Sequence, residues 1–166
     1  RDRLGTLWMT TDGYTITTNL NVGKLASEGL DVNGTYTRAI GGAGGISVNL
    51  IGTYLLHSTI DTGLYAYDCM GYFGNQCGVP TPTWRHMARF SWETNFHTVF
   101  SLGWRMVGGV TNDDGSPNPA IGDPGNVALL KANNIYTIPA RHYLDLGATY
   151  RLKKNYTFLV GVNNFL

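Results

Sequence analysis

The stretch RHMARFSWETNFHTVFSLGWRM, residues 85–106, decides how the chain is read. It holds two alternating runs joined at Thr94-Asn95. In the first, Ala88, Phe90 and Trp92 fall on one side, against Met87, Arg89, Ser91 and Glu93. In the second, Phe96, Thr98, Phe100, Leu102, Trp104 and Met106 oppose His97, Val99, Ser101, Gly103 and Arg105. A period of two marks β-strands, whose successive Cβ atoms point to opposite faces. Two such runs across a two-residue polar connection read as a β-hairpin.

The same pattern extends in both directions. Over 14–22, Tyr14, Ile16, Thr18, Leu20 and Val22 oppose Thr15, Thr17, Asn19 and Asn21; over 30–37, Leu30, Val32, Gly34 and Tyr36 oppose Asp31, Asn33, Thr35 and Thr37. After the glycine-rich 41–45, Ile46, Val48, Leu50, Gly52, Tyr54 and Leu56 face away from Ser47, Asn49, Ile51, Thr53, Leu55 and His57. Beyond the hairpin, Leu144, Leu146, Ala148 and Tyr150 oppose Asp145, Gly147, Thr149 and Arg151. Tyr156, Phe158, Val160 and Val162 oppose Thr157, Leu159, Gly161 and Asn163. About seven strands of roughly ten residues are expected, and no helix. Connections alternate between short ones, at 39–45, 94–95 and 153–155, and long ones, at 58–83 and 108–139.

Alternation alone suits a soluble antiparallel sheet with one wet face. The make-up of that face points elsewhere. Charged residues are 14% of the 166-residue chain, against about 25% in soluble proteins. The polar positions carry Ser, Thr, Asn and Gly with single scattered charges, as the lumen of an outer-membrane barrel does. Aromatic residues make up 12% of the chain. Tyr36, Trp92, Phe96, Tyr150 and Tyr156 lie beside the short turns, and Tyr54, Trp84, Trp104 and Tyr143 toward the long loops. Two interfacial girdles are written this way. The fold class expected is all-β, an antiparallel up-and-down transmembrane β-barrel. Seven strands and an end at Asn163-Asn164-Phe165-Leu166 make residues 1–166 a part of a larger barrel, which closes with an even strand number.

Net charge is +1 and no basic stripe appears, so nucleic acid is not an expected partner. No apolar run reaches the ~18 residues of a membrane-spanning helix. Arg1-Asp2-Arg3 is not followed by the apolar region of a signal peptide, so export would mean that the start was removed or that the chain is a piece. Cys69 and Cys77 lie close together in a glycine-rich loop. A disulfide is the natural reading and implies an oxidising compartment; two free buried thiols are the alternative. No zinc spacing accompanies them.

Several phrases resemble the C-terminal half of a TonB-dependent outer-membrane receptor. Gly161-Val162-Asn163-Asn164-Phe165-Leu166 resembles the family's late "GVNNLFD" strand end, and Tyr143-Leu144-Asp145-Leu146 its "YxDL" strand. Asp68-Cys69-Met70-Gly71, Cys77-Gly78 and Pro80-Thr81-Pro82-Thr83-Trp84-Arg85-His86 resemble the disulfide-bearing loop of a receptor subgroup, leading into Trp92-Glu93-Thr94. Gly29-Leu30-Asp31-Val32 resembles a strand start. The ordered set spans roughly residues 5–166. It implies a barrel of about twenty-two strands in the outer membrane of a Gram-negative bacterium, filled by an N-terminal plug. Such a receptor imports a scarce bulky nutrient (iron–siderophore, vitamin or oligosaccharide) with energy from TonB, reached through a plug that this sequence lacks. Outer-membrane lipid and a small-molecule or oligosaccharide ligand are the partners implied. A passive porin-like channel and a secreted β-sandwich binding module are the rivals.

No catalytic constellation is written in the chain, so no enzyme, cofactor or metal is expected. The histidines sit on separate segments and no serine has a nucleophile-elbow setting. Asn112-Asp113-Asp114-Gly115 offers oxygen ligands for calcium, but a solvated turn is the commoner use of such a run. Ligand contacts are expected from Tyr72, Phe73, Trp84 and Arg85 in the long loops, with Arg105 on the polar face. Aromatic rings stack on sugars or catechols, and arginine pairs with anionic oxygen. Arg89, Glu93, Arg105, Asp145 and Arg151 have a second reading, as charge pairs that fasten strands or grip a plug.

Overall fold

The computed structural model describes residues 23–153 and 155–165. The strand expected over 14–22 lies outside them, as does Lys154 of the last short turn. Six long strands form one antiparallel sheet: β1 (Lys24–Ala39), β2 (Gly45–Asp61), β5 (Trp84–Glu93), β6 (Thr98–Val107), β9 (Arg141–Leu152) and β10 (Tyr156–Val162). Each long strand pairs with the next in sequence, which makes an up-and-down meander. Among the described residues β1 pairs only with β2 along its length and β10 only with β9, and no closed barrel forms.

The register carries the alternation across the whole sheet. Leu30 pairs with Tyr54, Tyr36 with Val48, Val48 with Phe90, Phe90 with Leu102, Leu102 with Leu146 and Leu146 with Val162. Cross-strand partners share a face, so every apolar set lands on one side and every Ser/Thr/Asn/Gly set on the other. Among the described residues nothing packs over the apolar side. Phe100 is 44% exposed, Val160 70% and Val162 56%. The core of the molecule lies elsewhere, in the long loops.

Strands run from 7 to 17 residues, so the expected ten is only typical. β1 begins at Lys24, so 24–28 belong to the strand, and a bulge falls between Glu28 and Gly29. The hairpin turn is longer than the sequence implied. β5 stops at Glu93 and β6 starts at Thr98, leaving a four-residue turn with Phe96 in it. Thr94 closes the turn twice onto the Thr98 carbonyl, through its N–H (2.8 Å) and its hydroxyl (2.9 Å). His97 takes a left-handed φ of 60° to return the chain.

The expectation of no helix is corrected. The loop over 108–140 contains α1 (Pro124–Ala132), which begins with a proline at its first turn and with the Asp123 carboxylate accepting the Gly125 N–H at 3.0 Å. Neither long loop is structureless. β3 (Ala66–Asp68) pairs with the far end of β2. β4 (Tyr72–Phe73), β7 (Val110–Asn112) and β8 (Thr137–Ile138) form a separate small sheet in the order β4-β7-β8. Tyr67, Cys69, Cys77 and Ile121 are buried together, with Ile60, Tyr72 and Ala120 packed against them. This cluster joins both loops at one end of the large sheet; the three short turns lie at the other.

Candidate functional site

Cys69 and Cys77 are disulfide-bonded, so the free-thiol alternative falls away. The bridge sits inside the loop core, with Cys69 almost wholly buried. Tyr72 packs on that core, and Phe73 beside it in β4 is half-buried.

Asn112-Asp113-Asp114-Gly115 also turns inward. Its 3-10 turn is capped by the Asn112 side chain, which accepts the Asp114 N–H at 3.0 Å. The buried Asp113 carboxylate accepts backbone N–H groups of Gln76 (2.7 Å) and Cys77 (2.9 Å). Asp114 accepts the Asn126 amide at 2.5 Å. These carboxylates are occupied as internal acceptors, and among the described residues no group of three or more metal-ligating side chains comes together.

Trp84 and Arg85 part company, because neighbouring residues on a strand face opposite ways. Trp84 pairs with Tyr54 on the apolar side, and Gly52 leaves room for the indole, since a Cβ there would collide with the ring. A row of rings continues from it across the sheet. Tyr54 and Trp84 centroids are 6.4 Å apart, Trp84 and His86 5.8 Å, His86 and Trp104 4.4 Å, and Trp104 and His142 6.0 Å. Each indole N–H donates to an imidazole Nδ1, Trp84 to His86 at 2.8 Å and Trp104 to His142 at 3.2 Å. The histidines were no part of the expected girdle. Tyr143 leaves it: its register partner is Arg105, which puts it on the polar side.

Arg85 and Arg105 do meet on one face. Both line an open hollow of about 300 Å³ on the polar side, just below the long loops. Arg105 is anchored there. It forks onto Asp145, with Nε to Oδ2 at 3.2 Å and Nη2 to Oδ1 at 3.4 Å, and lies over the Tyr143 ring at 5.4 Å. Asp145 Oδ1 also accepts the Asn164 N–H at 2.9 Å. Of the five charged residues considered for strand fastening, Arg105 and Asp145 form the one ion pair among the described residues. Arg85 is exposed and has no ion-pair partner among them.

At the loop end a second pair couples β2 to β3. His57 Nδ1 lies 2.6 Å from Asp68 Oδ2, while Asp68 Oδ1 accepts the Ser58 and Met70 N–H groups at 2.8 and 2.9 Å. The hydrogen bond to Asp68 raises the His57 pKa above its ordinary value. Partial burial pushes Asp68 up, but the bonds from Ser58, His57 and Met70 together win and hold its carboxyl below the usual range. Sequence reading missed this pair, whose members are eleven residues apart across a loop.

Compared with known proteins, the chain matches no family model, no curated protein and no solved structure.

Proposed function

We propose that the chain is part of the wall of a TonB-dependent outer-membrane receptor, which takes up a scarce bulky nutrient with TonB-supplied energy. One observation carries the reading: an apolar face continuous over six paired strands has no protein layer on it among the described residues. A soluble sheet buries such a face against a helix layer or a second sheet, because a bare patch of this kind draws other molecules onto it. Here α1 packs on the 3-10 turn of its own loop and makes no layer over the sheet. Lipid is the cover that suits small polar residues on one side and Leu, Val, Phe and Trp on the other.

Two further features support it. The short turns gather at one end and the folded loops at the other, as in a wall with a periplasmic and an extracellular rim. Two phrases that resemble the receptor family also come together, since Asp145 of one accepts the Asn164 N–H of the other. The test uses the full-length gene. The expected protein needs detergent for extraction, and its ligand uptake stops when TonB is deleted. A TonB-independent leak of small solutes would assign a porin-like channel instead. Purification as a water-soluble monomer would overturn the membrane wall altogether.

A further inference from the structure

The polar face gathers apolar side chains beside arginines just below the long loops. Across β2, β5, β6 and β9 the register lines up Ile51, Met87, Arg105 and Tyr143 in one row. The row two residues nearer the loops holds Thr53, Arg85, Val107 and Arg141. Elsewhere this face is mostly Ser, Thr, Asn, Gly and single charges, with Val99 and Leu159 as paired exceptions across Thr149. Here three apolar side chains gather beside arginines, with Ile51 at 53% exposure, Met87 at 50% and Val107 at 42%. Lipid cannot explain them, because they point away from the apolar side.

Three guanidinium groups frame this patch: Arg85, Arg105 and Arg141. Arg105 is neutralised by Asp145, and no ion pair holds the other two among the described residues. Asp31 lines the next cleft along with Arg85, but its carboxylate accepts the Thr53 hydroxyl at 2.8 Å. The hollow over the patch, about 300 Å³, is at the lower end of small-molecule sites. An apolar floor beneath unpaired guanidinium groups suits a body that leaves water and an acidic group that pairs with arginine. A neutral oligosaccharide uses neither.

We infer that this patch is the ligand-contact site of the wall and that its ligand is an organic anion with a hydrophobic body, bound through Arg85 and resting on Ile51, Met87 and Val107. The inference rests on the proposed function and narrows its ligand class.

The test takes the full-length receptor in lipid nanodiscs, with dansylglycine as the amphipathic anion, dansylamide as its uncharged counterpart and maltohexaose as a neutral sugar. Expected is saturable dansylglycine binding at least tenfold tighter than that of dansylamide. Arg85→Gln weakens dansylglycine about tenfold and leaves dansylamide unchanged, while Met87→Ser weakens both. Absence of saturable dansylglycine binding, equal binding by wild type and Arg85→Gln, or displacement by maltohexaose at similar concentration overturns the site. Variants are compared at matched heat resistance of the barrel. A receptor that still needs TonB while Arg85→Gln binds as wild type sinks this inference alone. A water-soluble chain sinks the proposed function with it.

Discussion

Asp113 holds Cys77 from 36 residues away, accepting its buried backbone N–H at 2.9 Å while also taking the Gln76 N–H at 2.7 Å. One carboxylate of the second long loop thus caps the disulfide turn of the first. Gly74 makes the approach possible, since a Cβ at that position would collide with the Asp113 carboxylate. Asp113→Ala leaves a buried donor unmet, which costs about 1–3 kcal/mol. Hydrogen exchange at the Cys77 amide should speed up about tenfold to a hundredfold, with β5 and β6 unaffected. Unchanged exchange would mean that the two loops fold independently.

The disulfide should matter to the same unit and not to the sheet. It closes a short loop of sequence separation 8, for which chain entropy gives about 2–3 kcal/mol. Cys69 and Cys77 belong to the loop core with Tyr67 and Ile121, and none of the four lies in the six long strands. Replacing both cysteines by alanine should therefore open 62–83 to protease while leaving detergent-resistant sheet intact. Loss of the sheet's own heat resistance would contradict this division.

The His57–Asp68 pair gives the loops a pH dependence of definite sign. His57 has its folded pKa raised from 6.5, so its contribution is complete below 6.5 and is lost as pH rises through the folded value. Asp68 has its folded pKa lowered from 3.8, so its contribution is present above 3.8 and is lost as pH falls through the folded value. The latch between β2 and β3 is tightest between these limits. Both groups are partly open to solvent, which keeps the effect small. Exchange at the Ala66–Asp68 amides should rise between pH 5.5 and 8.5, beyond its intrinsic increase, and His57→Gln should abolish the extra rise. Asp68→Ala should loosen the loop more at either pH, because Ser58 and Met70 lose their acceptor too. A pH response that survives His57→Gln would assign it to another group.

The six described long strands were legible because each must show one apolar side, and that demand writes itself as a period of two. The same parity places Arg105 on the polar side and Trp84 on the apolar side. Tyr143 was misplaced when its nearness to a loop outweighed its odd number beside Leu144 and Leu146. The loops left no comparable trace. Their core joins Tyr67 and Cys69 to Ile121, more than fifty residues on, through strands of two or three residues that are too short to show a period. The one local signal for α1, unread in the sequence, was Asp123-Pro124, an acceptor followed by a proline with its φ already set. A helix that buries only Leu130 has no apolar stripe to reinforce that signal. The apolar patch below the loops was equally visible as Ile51, Met87 and Val107 at polar-face positions, but strand register was needed to bring them side by side.

The assignment of faces has a direct test at two adjacent residues. Leu102 lies mid-strand in β6 between Phe90 and Leu146, on the face that carries Phe100, Trp104 and Val162. Ser101 lies on the other side, between Ser91 and Gly147, where there is no large neighbour to displace. On the proposed barrel wall, Leu102→Arg places a guanidinium in hydrocarbon and should cost about 2–4 kcal/mol. Ser101→Arg keeps its charge in a wet interior and should cost little. Urea titration of the folded band on unheated gels measures both. A sandwich with a second layer over Leu102 would instead lose soluble expression with Leu102→Arg and show no dependence on lipid thickness. Equal costs at the two positions would mean that the two sides of β6 meet the same surroundings, which a membrane wall cannot allow.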